Sequence, residues 1–93
     1  MSKTQRLSQI FKALGEETRL EIIKLLAQNG EVGCTQINQA FNLTKPALSH
    51  HYRILKESGL LLKRKEGQHF YLSLNRSILE KYLPGFLERL NQS

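Results

Sequence analysis

Aspartate is absent from this sequence and cysteine occurs once, at Cys34. Without aspartate there is no Ser-His-Asp triad, and a hard-cation site would need clustered glutamates or imidazoles instead. A lone cysteine excludes an intrachain disulfide, and a soft thiolate metal site needs two or more sulfurs. One free thiol fits a reducing compartment, so a cytoplasmic location is expected. The N-terminus has no long apolar run, so neither a signal peptide nor membrane insertion is expected. There is no nucleophile elbow, no phosphate-cradling glycine loop, no internal repeat and no low-complexity linker. These absences point away from an enzyme and from any cofactor.

What the chain does contain is concentrated positive charge. Its 93 residues suit one small domain over 1–93, with a core that is marginal by itself. The formal net charge is +6. Residues 44–71 hold six basic and two acidic side chains, so four of the six excess charges fall in that segment. Localised positive charge suggests a polyanionic partner.

The segment TKPALSHHYRILK, residues 44–56, reads as a helix with two unlike faces. Leu48, Tyr52 and Leu55 form an apolar stripe, with Ala47, His51 and Ile54 at its flank. Lys45, Ser49, Arg53 and Lys56 form a second row, with Pro46 and His50 beside it. That row carries no acid and no aliphatic residue, and its side chains reach phosphates and base edges. Thr44 can cap the first turn, and Pro46 stands where a helix start tolerates proline. A short helical segment at 35–41 and a tight Asn42-Leu43 turn precede it. Short helix, turn and capped basic helix over about 35–57 make a helix-turn-helix pattern. The bland alternative is a solvated basic face on an ordinary core helix. The expected DNA-facing residues are Thr44, Lys45, Pro46, Ser49, His50, Arg53 and Lys56. His51 is expected to be a hydrogen-bonded core histidine.

Amphipathic helices are expected at about 4–14 and about 16–28, the second so widely apolar that it should be central. Residues 31–34 read as an extended link or short strand. After Ser58-Gly59 the period becomes extended: strands at 60–65 and 68–74 should be joined by a Glu66-Gly67 turn. This hairpin, about 60–74, bears Lys63, Arg64, Lys65, Gln68 and His69, and reads as a wing reaching phosphates or the minor groove. Lysines that merely solubilise an edge hairpin are the competing explanation. The last helical stretch, about 76–91, contains Pro84, which predicts a kink near Glu80–Lys81 or two short helices. Leu7, Ile10 and Phe11 with Leu79, Tyr82, Leu83, Phe86, Leu87 and Leu90 give terminal apolar stripes that one small core can hardly cover. They are the expected homodimer interface.

The runs FKALGEETRLEIIKLLAQNGE, LTKPALSHHYRILKESGLL and KRKEGQHFYLSL together resemble the ArsR/SmtB family of bacterial winged helix-turn-helix repressors. The likeness spans about residues 10–78. It implies an α+β fold, mainly helical, of order α-α-α-α-β-β-α, dimeric through its terminal helices. It also implies a transcriptional repressor on a palindromic operator, near its own gene, released by an inducer.

The family's usual metal residues are missing. The C-x-C pair of many members falls on Gly33 and Thr35, with Cys34 between them, and there is no Asp for the D-x-H site and no His after residue 69. His50 and His51 are adjacent and diverge by about 100° on a helix, so they cannot chelate one ion together. The expectation is therefore double-stranded operator DNA as partner, a second copy of the chain, no metal, and an inducer that the residues do not name. Two alternatives stand beside it. One is an interaction module of the same fold, controlled by a protein or membrane partner; the other is a thiol- or metal-responsive repressor.

Overall fold

A computed structural model describes residues 2–92 as six helices and three strands. Helix α1, Lys3–Leu14, opens with a capping box: Gln5 N–H donates to Ser2 Oγ, and Ser2 N–H donates to Gln5 Oε1. Helix α2, Glu17–Asn29, is capped by Glu16, whose carboxylate accepts from the Thr18 and Arg19 N–H groups. Its buried Ile22, Ile23 and Leu26 make it the centre of the core, as its apolar breadth predicts. Gly30, at φ +75°, ends it.

Strand β1 is the two-residue Val32–Gly33, followed at once by α3, Cys34–Phe41. The link expected at 31–34 is thus half strand, and Cys34 already belongs to the helix. Asn42 closes α3 in the left-handed region at φ 53°, where asparagine is the least penalised residue after glycine. Helix α4, Lys45–Glu57, starts at Thr44, whose Oγ1 accepts from the Ala47 N–H at 3.2 Å. It ends in a Schellman motif: Gly59 N–H donates to Lys56 O, and Leu60 N–H reaches back to Leu55 O. Leu55 and Leu60 are both fully buried, so the cap also seals the core.

Strands β2, Leu61–Glu66, and β3, His69–Leu74, pair antiparallel, with β1 on the far side of β3. The register pairs Glu66 with His69, so the turn residues are Gly67 and Gln68 rather than Glu66 and Gly67. Gly67 has φ +62° and Gln68 does not share a positive φ, the type II′ pattern with glycine first. The shift arises because this turn needs its glycine at the first central position, which puts Gly67 there and leaves Glu66 to end β2.

The closing stretch is two short helices, α5, Arg76–Tyr82, and α6, Phe86–Asn91. The break falls at Leu83–Gly85, three residues after the expected kink. Proline drives the residue before it out of the helical region, and Leu83 sits at φ −137°, ψ 62°. Gly85, at φ +82°, turns the chain into α6.

This turn folds α6 back onto α2, which changes the apolar inventory. Ile10, Leu79 and Leu87 lie in the chain's own core and leave the expected dimer surface. The core gains this cover because α1 packs on α2 and α4, and α6 packs on α2. Tyr82, Leu83, Phe86 and Leu90 pack half-buried at its edge, Leu7 is half-buried, and Phe11 is 58 % exposed.

Candidate nucleic-acid interface

The outer face of α4 is open. Thr44, Lys45, Pro46, Ser49, His50, Arg53 and Lys56 are all exposed, while Leu48 and Leu55 on the opposite side are buried. The split follows from the period of the helix: the stripe that anchors α4 in the core presents the acid-free row outward. Lys56 Nζ lies 5.8 Å from the Tyr52 ring centroid.

His51 belongs to the inner side. Its Nδ1 is 3.3 Å from Arg19 Nη1 and 3.7 Å from Glu16 Oε2. Arg19 is itself buried at 9 % exposure, its Nε donating to Ala13 O at 2.7 Å and its Nη2 to Lys12 O. Burial pushes the His51 imidazole below its ordinary pKa; Glu16 works against this, and the charges of Arg19 and His50 add to it. Neutral His51 can then accept a hydrogen bond from Arg19 Nη1 at Nδ1. Burial pushes Glu16 up, but the Thr18 and Arg19 backbone N–H groups, with Thr18 and His51, bring it below the usual carboxylate range. Glu16, Arg19 and His51 thus join the α1–α2 corner to α4. Reading the residues singly missed Arg19 as the centre of this joint; the E-T-R-L quartet was the signal that could have found it.

A second arginine ties α1 to the same helix. Arg6 Nη1 donates to Ser58 O at 3.2 Å, and a Cβ on Gly59 would come within 2.7 Å of that nitrogen. The backbone there, at φ +84°, also favours glycine.

In the wing, Lys63, Arg64, Lys65, Gln68 and His69 are all exposed, but they are not equivalent. Arg64 Nε and Nη2 donate to the two carboxylate oxygens of Glu31 at 3.0 and 2.7 Å, and Nη1 donates to Glu66 at 2.7 Å. Its guanidinium lies 4.6 Å from the Tyr71 ring centroid. The hydrogen bonds from Arg64 lower the Glu31 pKa, and those to Glu31 and Glu66 raise that of Arg64. Arg64 thus clamps the residue before β1 to the hairpin, a partnership invisible without the sheet order.

Lys63 points to the other face. Its Nζ sits 4.1 Å from the Phe70 centroid and 4.9 Å from that of Tyr52, bridging wing and α4. Lys65 Nζ lies 5.7 Å from Phe70. Between α3, α4 and the wing runs a groove of about 570 Å³, with Cys34 on its wall. Burial raises the Cys34 pKa against the opposing charge of Lys63, so the thiol stays protonated.

The residues present do not fit the metal sites of the resembled family. Among the described residues no three His, Cys, Asp or Glu side chains gather as a ligand set. The His50 and His51 rings stand 5.7 Å apart at 60° to one another. Among the same residues, no helix is long and apolar enough to cross a membrane.

Residues 16–63 match the family described as "Bacterial regulatory protein, arsR family". The chain is 42 % identical over 90 residues to a Bacillus subtilis (strain 168) protein described as the uncharacterized HTH-type transcriptional regulator YceK, covering 96 % of this chain and 90 % of that one. It is 34 % identical over 86 residues to the transcriptional repressor SdpR of the same organism, covering 92 % and 94 %. Among solved structures, HlyU from Vibrio cholerae N16961 superposes with a TM-score of 0.80 at 26 % identity, over 99 % of this chain and 96 % of that one.

Proposed function

Because this chain belongs to the ArsR family of bacterial regulatory proteins, and so is a DNA-binding transcription regulator, we propose that it represses transcription as a homodimer on a palindromic operator. The observation that carries this reading is the acid-free exposed row of α4, flanked by the lysine-bearing wing. Ser49, His50 and Arg53 read base edges in the major groove, with Thr44, Lys45, Pro46 and Lys56 completing that face. Lys63, Lys65, Gln68 and His69 approach the phosphates, and Arg64 holds the hairpin in place. An interaction module would have no reason to keep the α4 row free of acids.

Twofold pairing sets two recognition helices about 34 Å apart, on successive major grooves. Phe11, Leu7, Tyr82, Leu83, Phe86 and Leu90 supply the pairing surface. The terminal helices and α4 communicate through the Arg6–Ser58 hydrogen bond. Release occurs without a metal, because the sequence holds one thiol and no carboxylate–imidazole cluster gathers among the described residues.

Roles separate under mutation. Arg53→Ala should lose roughly 1–3 kcal/mol on the operator and little on scrambled DNA, as a base contact does. Lys65→Ala should weaken both duplexes alike. Titrating both variants on both DNAs, with the upstream region of the chain's own gene as operator, tests this. Equal losses on both DNAs for both variants would refute the assignment.

A further inference from the structure

The groove between α3, α4 and the wing shares Lys45, Ser49, Lys63, Gln68 and His69 with the DNA-facing surface, and it also has the dimensions of a small-molecule site. At about 570 Å³ it lies within the range of small-molecule sites. Its floor is apolar, from Leu48 and Leu72, which are 5 % and 1 % exposed. Tyr52 and Phe70 stand in its walls with Lys63 held against both rings, and Lys45 lies at its edge. No lining residue is acidic.

Together these features specify a ligand. Flat rings on the wall favour a planar aromatic body. Two lysines without an acid favour an anionic group of one charge, small enough to sit beside Lys63. We propose that this groove binds a small aromatic carboxylate, and that its occupancy competes with DNA. Competition follows because Lys45 and Ser49 belong both to the groove lining and to the exposed row of α4. This second half rests on the DNA-binding reading above; the first half does not. Cys34, neutral on the wall, contributes bulk and no covalent step.

The test is a two-dimensional amide NMR titration of the DNA-free protein with 4-hydroxybenzoate. Saturable shifts should cluster at residues 34–38, 48–52 and 70–72. A dissociation constant near 1 mM is expected for a ligand of about ten heavy atoms at modest efficiency. Phe70→Leu, which removes one ring of the wall, should weaken binding severalfold while still binding operator like the wild type. Tyr52→Leu should weaken it further. Cyclohexanecarboxylate, an anion without a ring face, should bind much less well.

Absence of saturable shifts at the ligand's solubility limit would overturn the proposal. So would shifts spread equally over the basic residues outside the groove, or equal binding of cyclohexanecarboxylate. Operator binding measured without ligand reports separately on the DNA reading. Groove binding that leaves operator affinity unchanged would refute the competition.

Discussion

Replacing Arg64 by alanine should leave the salt dependence of operator binding close to that of the wild type, whereas replacing Lys65 should flatten it. Three of the guanidinium's nitrogens already donate to carboxylates, two to Glu31 and one to Glu66. Arg64 with these two glutamates carries a net charge of −1, so it has little positive potential left for a phosphate. Lys65 has no ion pair with a carboxylate among the described residues. Each phosphate neutralised contributes about 0.9 to the slope of log K against log salt. Over a fourfold range of salt, a slope change of that size is roughly a 3.5-fold difference in affinity, well within what fluorescence anisotropy on a labelled duplex resolves. Lys65→Ala should therefore lose about 0.9 from the slope. Arg64→Ala should lose much less, and Glu31→Gln, which frees the guanidinium on one side, should steepen it. If Arg64→Ala flattens the slope as much as Lys65→Ala does, the clamp opens on DNA and Arg64 is a phosphate contact after all.

Phe11→Asp should lower self-association and operator affinity together without touching any DNA-facing residue, because Phe11 is 58 % exposed on α1; sedimentation beside a binding titration checks this, and a monomeric wild type that binds its operator tightly would contradict it. Equilibrium dialysis with zinc should find no tight stoichiometric site, since Cys34 is a single thiol and the histidines diverge; one zinc per subunit with release from the operator would reverse that conclusion. Acid should weaken the fold through His51: its folded pKa lies below the ordinary 6.5, so the neutral form's contribution is present above that value and is lost as pH falls through the folded pKa. His51→Gln should shrink this loss in a series of melting curves from pH 7 to 5, and an unchanged drop would place the acid sensitivity elsewhere.

Local chemistry alone was enough to place α4 and its outer row. Thr44, Pro46 and the i, i+4 spacing of Leu48, Tyr52 and Leu55 act within one helix, so neighbours in sequence carry the whole message. The same holds for the Asn42 turn, the Ser58-Gly59 stop and the existence of the hairpin. Pro84 likewise announced a break, because its effect is confined to the residue before it. The hairpin turn falls one residue later than expected because a type II′ turn puts its glycine first, which leaves Glu66 in the strand.

Tertiary structure decided the rest, wherever partners come from distant sequence. Arg64 looked like a free wing charge until β1 brought Glu31, 33 residues away, alongside it. Arg19 became a buried joint only when α4 placed His51 32 residues downstream against it. Ile10, Leu79 and Leu87 belong to apolar stripes that read the same whether they face a core or a partner; only packing between elements, such as α1 on α4 and α6 on α2, assigns them to the core. Periodicity tells which residues share a face of an element. What that face meets is settled by packing between elements, and a one-dimensional pattern does not contain it.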